Sequence, residues 1–201
     1  MSVLSATLVF FWHAPVSQPF EQLKYFLPLH TILETVSVVM AAMIFAVGWH
    51  AYVPSRAMNV VLIACGFLAV ALLDVGHFMS YIGMPDFVTP GSTSKSIDFW
   101  LAARLISALV LLSAISIGWK PFSTARTRYL IATICAAYAT LAYWLILFHA
   151  DLLPDTFIPG TGLTPFKVIA EYVIVLLNIV SAVLLFLFMG NSIADNGYAR
   201  N

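Results

Sequence analysis

Two pairs of residues in this chain are spaced for chemistry. His30 and Glu34 stand four residues apart and Asp74 and His77 three apart, so on helices each pair shares one face. Imidazole nitrogens and carboxylate oxygens are the donors with which helical bundles hold metal ions. Both pairs are embedded in apolar sequence. Asp74 and His77 close a run that begins near Val60 and continues into Ser80-Tyr81-Ile82-Gly83-Met84-Pro85. An ionisable side chain in hydrocarbon costs about 2.5–3.5 kcal/mol on insertion scales, so each of these groups calls for a partner. Arg104 and Glu171 are further ionisable groups set well inside apolar runs.

Two arrangements are expected from this set. In the first, Arg104 forms a buried ion pair with Asp74 or Glu171. In the second, His30, Glu34, Asp74 and His77 converge on a divalent or transition metal ion, with Arg104, Glu171, Tyr81 and Trp100 as ligand-binding residues around it. The three acids against Arg104 leave a charge of about −2 with both histidines neutral, which a divalent cation cancels. Haem held axially by His30 and His77 is an alternative. So is a plain scaffold, in which the ion pair serves packing and His77 donates to a backbone carbonyl.

The elements that must position these residues follow from composition. Of 201 residues, 62% are hydrophobic and only 9% charged, against about 25% charged in soluble domains. The mean hydropathy is +0.97. Five apolar segments, about 25–49, 57–83, 96–118, 127–149 and 165–190, are long enough to span a bilayer, which needs about 20 residues each. The fold expected is all-α, a polytopic integral membrane bundle of five to six transmembrane helices with no sheet. Pro54, Pro85, Pro90-Gly91, Pro121, Pro154 and Pro159-Gly160 separate the segments. Thr164-Pro165 supplies an N-cap and a first-position proline for the last span. Residues 2–12 are apolar but too short to cross, so 1–24 reads as an extracytoplasmic or interfacial segment, or part of a further span.

Charge placement orients the bundle. Arg56 lies between spans one and two, and Lys120, Arg126 and Arg128 between three and four, with no acid in either loop. Short cytoplasmic loops collect such charge, so the C-terminus is expected to be cytoplasmic. The start of span one then faces outward. Counting about 1.5 Å per residue from the outer ends places His30, Glu34, Asp74, His77, Arg104 and Glu171 in one layer of the outer leaflet. His149, followed by Asp151, ends span four on the same side, and His13 and His50 read as boundary residues.

Other chemistries are excluded or weak. Nine Lys and Arg balance nine Asp and Glu, and no phosphate-cradling loop is present, so nucleic acid is not a partner. Cys65 and Cys135 lie in apolar runs without metal or redox spacing and read as small buried hydrophobes. Met79 and Met84 could ligate a soft metal but read first as core or interface. Trp49, Trp119, Tyr143 and Trp144 read as belt or core aromatics.

Four blocks resemble a known family. They are Leu29-His30-Thr31-Ile32-Leu33-Glu34, Ala71-Leu72-Leu73-Asp74-Val75-Gly76-His77 running into Ser80-Tyr81-Ile82-Gly83-Met84, Phe99-Trp100-Leu101-Ala102-Ala103-Arg104, and Gly162-Leu163-Thr164-Pro165-Phe166-Lys167 before Ala170-Glu171-Tyr172. Together they resemble the third class of membrane-associated sensor domains, the input modules of bacterial and archaeal histidine kinases and diguanylate cyclases. The chain departs from the family pattern at Gly76-His77-Phe78, where Leu-His-Thr is more usual, with the histidine retained. The resemblance implies a sensor role for 25–190 in the bacterial inner membrane and a non-catalytic segment, the expected partners being the lipid bilayer, a second copy in a homodimer and a cytoplasmic output domain. With no output domain after Asn201, residues 191–201 are expected to be a cytoplasmic tail leading to a kinase or cyclase that lies further on or is a separate partner. A metal-dependent membrane hydrolase, using the same residues to activate a water, is the alternative function.

Overall fold

The computed structural model of the chain describes residues 25–51, 58–117 and 126–198. Each apolar run within them is one helix: α1 Phe26–His50, α2 Met58–Met79, α3 Thr93–Ile117, α4 Thr127–Phe148 and α5 Pro165–Tyr198. At about 1.5 Å per residue even the shortest reaches the ~30 Å of a hydrocarbon core. All five are long and apolar enough to cross a membrane, the last over Pro165–Phe188. The chain is therefore an all-α, multi-pass membrane protein whose helices contact lipid. The segment 1–24 with His13, the loop residues Arg56 and Lys120, Trp119 and the last three residues of the tail lie outside the described residues.

Local chemistry sets the helix ends. α3 begins at Thr93, earlier than expected, because Ser92 Oγ accepts the Lys95 amide at 3.1 Å and caps the first turn. α2 stops at Met79, short of residue 83, where the chain turns through Gly83 at φ +95°, a conformation glycine adopts without steric cost. α5 starts as expected: Thr164 Oγ1 accepts the Lys167 amide at 3.3 Å and Pro165 takes the first helical position. Its other end differs from expectation, since the helix continues past 190 to Tyr198 and takes most of the tail with it.

α2 is the axis of the bundle. It packs on α1, α3 and α4, whereas α5 packs mainly on α3. Leu73, Phe99 and Ala103 are fully buried between α2 and α3, and Cys65 and Cys135 belong to the same core as free thiols. Gly76 has a packing reason. A Cβ there would lie 2.6 Å from the Phe99 ring, so only glycine lets α3 bring that ring against α2. Two tyrosines tie α4 in place: Tyr143 donates to Leu72 O at 2.6 Å and Tyr138 to Ala102 O at 2.9 Å. The outward faces of α1 and α5, including Val36, Met40, Leu176 and Ile179, are exposed apolar surface that the bilayer covers.

At the end where α1 begins, a small two-stranded hairpin corrects the expectation of no sheet. β1 Phe157–Ile158 pairs antiparallel with β2 Gly162–Leu163 around the turn expected only as a breaker. It is lashed to the start of α3, because Thr156 Oγ1 donates to Asp98 Oδ1 at 2.9 Å and Ser94 Oγ donates to Phe157 O at 3.1 Å. Lys95, nearly buried, closes the preceding loop by donating to Phe87 O and Thr89 O at 2.8 and 2.9 Å.

Candidate functional site

Under this hairpin, α1, α2, α3 and α5 line a half-open cavity of about 500 Å³ with polar groups set in a largely apolar wall. His77, buried at the end of α2, is set most firmly in its wall. Its Nδ1 lies 2.8 Å from Ser96 O and 3.0 Å from Ser96 Oγ, and that hydroxyl donates to His77 O at 3.1 Å. A carbonyl oxygen only accepts, so the network assigns the ring proton to Nδ1 and leaves the Nε2 lone pair free for a ligand. His30 faces it from α1, with ring centroids 5.6 Å apart at 68°. Phe26 and Tyr81 flank the His30 ring at 5.7 and 4.6 Å. His30 Nδ1 is buried without a hydrogen-bond partner among the described residues. Glu34, one turn further along α1, brings Oε1 to 3.9 Å from His30 Nε2. One donor atom from each of His30, Glu34 and His77 lies within 4.8 Å of the others.

Asp74 is not in this group, which corrects the expected set of four. Its carboxylate is fully buried, and Arg104 Nη2 holds both of its oxygens at 2.6 Å. Three residues before His77, Asp74 sits about one helical turn deeper and is directed to α3 rather than to α1. Arg104 accordingly has Asp74 as its partner, and its Nε has no hydrogen bond among the described residues. Neither residue lines the cavity. Glu171 does, but it pairs with Lys167 at 2.7 Å, not with Arg104. Tyr81 and Trp100 also line it. The single layer thus divides into a cavity level and an ion-pair level beneath it. His149 belongs to neither and stacks on Trp144 at 4.2 Å.

Three contributors were not anticipated: Lys167, Ser96 behind His77, and the hairpin residues Phe157, Gly162 and Leu163 that roof the cavity. Lys167 had a signal, its four-residue spacing from Glu171. Ser96 and the hairpin had none, since their roles depend on how α2, α3 and the α4–α5 connection meet.

The donor set is two imidazoles and one carboxylate, a combination that suits zinc and non-haem iron and leaves coordination positions open. Five spanning helices, four of which wall a polar cavity beneath a hairpin, define a polytopic membrane protein with a site set inside its bundle. The family model of the membrane-associated sensor domain (MASE3) matches residues 21–192, and the chain belongs to that family. It is a membrane sensor domain. No curated protein and no solved structure matches the chain.

Proposed function

We propose that this sensor domain reads its signal at the cavity, by holding a divalent transition-metal ion on His30, Glu34 and His77. The observation that carries the reading is the approach of these three donors to within 4.8 Å. The Ser96 carbonyl supports it by fixing the His77 tautomer, the usual service of an outer-shell acceptor to a metal-bound imidazole. Donors around a tetrahedral ion with bonds of about 2.0–2.1 Å sit roughly 3.4 Å apart, so the trio closes on an ion by side-chain adjustments of about an ångström. Glu171, Tyr81 and Trp100 are then ligand-binding residues of the surrounding wall, while Arg104 and Asp74 serve as a structural pair. Haem is the weaker reading, because Glu34 shares the point with both imidazoles and the rings already meet edge to face.

The signal passes to α5, which brings Lys167 and Glu171 to the same wall and runs on to Tyr198. An ion or ligand can shift the bundle only by binding one arrangement of α5 better than another. The output is a cytoplasmic kinase or cyclase domain, in line or as a separate partner, and the working unit is a homodimer in the inner membrane. The cytoplasmic placing of the C-terminus rests on Arg56, Lys120, Arg126 and Arg128.

The test is metal analysis and Zn²⁺ or Co²⁺ titration of the protein in lipid discs. One ion per chain is expected. His77→Ala should weaken it by more than the roughly 10–100-fold typical of losing an outer-shell partner. Equal affinity in wild type, His77→Ala and Glu34→Gln would overturn the reading.

A further inference from the structure

We infer that the signal taken by this cavity is a small organic monoanion, such as a short-chain or aromatic carboxylate, bound at the open position of the metal ion. The inference rests on the metal reading above and names what that ion would bind. Its first support is charge. Glu34 and Glu171 bring two negatives to the wall and Lys167 one positive, so with neutral imidazoles the cavity carries a net −1. The Asp74–Arg104 pair beneath adds nothing. A divalent ion turns −1 into +1, however Lys167 and Glu171 rearrange. One further negative charge neutralises the site, and unpaired charge carries a cost among side chains only 12–34% exposed.

The second support is room. Water occupies about 30 Å³ per molecule in the liquid, so a cavity of about 500 Å³ far exceeds the need of an ion and a hydroxide. It falls instead in the range of cavities that hold organic ligands, about 300–1,000 Å³. Third, the wall is mixed as such a ligand requires. Ile82, Ile97, Trp100, Phe157 and Leu163 supply apolar surface alongside the donors and Lys167, whose Nζ stands 5.8 Å over the Trp100 ring. Lys167 keeps Glu171 at 2.7 Å with one of its three N–H groups and retains others for a carboxylate oxygen.

The experiment uses the full chain in lipid discs loaded with Co²⁺, whose visible spectrum reports changes of ligand. Benzoate is the probe and benzamide its neutral counterpart. Benzoate should shift the Co²⁺ bands saturably and benzamide should not. Lys167→Gln should weaken benzoate about tenfold or more, the loss expected for one hydrogen bond to a charged group, while Co²⁺ still binds, at least as tightly because the cavity loses its one positive charge, and so shows the variant folded. Co²⁺ binding without a benzoate effect, or an equal effect of benzamide, overturns this inference and leaves the metal reading standing. Failure to bind Co²⁺ at all overturns both.

Discussion

Removing Arg104 should damage the protein more than removing Arg104 and Asp74 together. Asp74 exposes 1% of its side chain, and both its oxygens are taken by one guanidinium nitrogen at 2.6 Å. In Arg104→Met the carboxylate has no other partner among the described residues, and stranding one member of a buried pair costs about 3–5 kcal/mol. Asp74→Leu strands a guanidinium whose side chain is 33% exposed. The long arginine stem can carry that charge toward a wetter level, so this cost should stay near the low end of insertion scales, about 2.5 kcal/mol. The double variant Asp74→Leu/Arg104→Met buries two apolar side chains of similar size. Such replacements are neutral or stabilising in other proteins, so its cost should be about 0–1 kcal/mol. The coupling energy is then at least about 4.5 kcal/mol, well outside the few tenths of independent sites. Reversible unfolding of the four proteins, by steric trapping in lipid discs, reads it directly. Additive single effects, or singles each below about 1 kcal/mol, would refute the pair as a structural element.

Gly76→Leu should destabilise this chain by about 1–3 kcal/mol because its Cβ meets the Phe99 ring at 2.6 Å; Phe99→Leu in the same chain should recover part of that loss in a thermal-denaturation assay. Thr156→Val keeps the shape of a residue only 1% exposed but removes its bond to Asp98, worth about 1.5–3 kcal/mol for a charged acceptor. Amide hydrogen exchange over 157–163 should accelerate in that variant, and unchanged protection would show that the hairpin is held by other contacts. A reporter fused after residue 201 should be active only on the cytoplasmic side, and activity outside would reverse the orientation taken from the loop charges.

The bundle was legible because the bilayer removes most alternatives. A run of 20 apolar residues has to satisfy its own backbone, and only a helix does so within one segment. The ends were less legible. Ser92 capping Lys95 moves α3 upstream, and neither residue stands out in a string of small polar ones. The hairpin reads in the sequence only as breakers because its strands are two residues long and show no alternation. It persists through contacts to α3 at Ser94 and Asp98, about 60 residues away in sequence, beyond the reach of local pattern.

The site divides the same way, between what spacing dictates and what packing decides. The pairing of His30 with Glu34 on one face of α1 follows from four-residue spacing alone. The same rule put Asp74 beside His77, yet three residues subtend about 300° around a helix, so the two side chains lie some 60° apart. That divergence is enough for His77 to face α1 while Asp74 faces Arg104 on α3. Counting depth from helix ends resolves no better than a turn, which is the separation between the cavity and the ion pair below it. Charge then completes the assignment. Arg104 is drawn to the deeper acid, where water cannot substitute for it, and Lys167, at the rim of α5, is left to Glu171. Pairing the two strongest charges beneath the cavity leaves Glu34 as its one unneutralised acid, and it is that acid which stands beside both imidazoles.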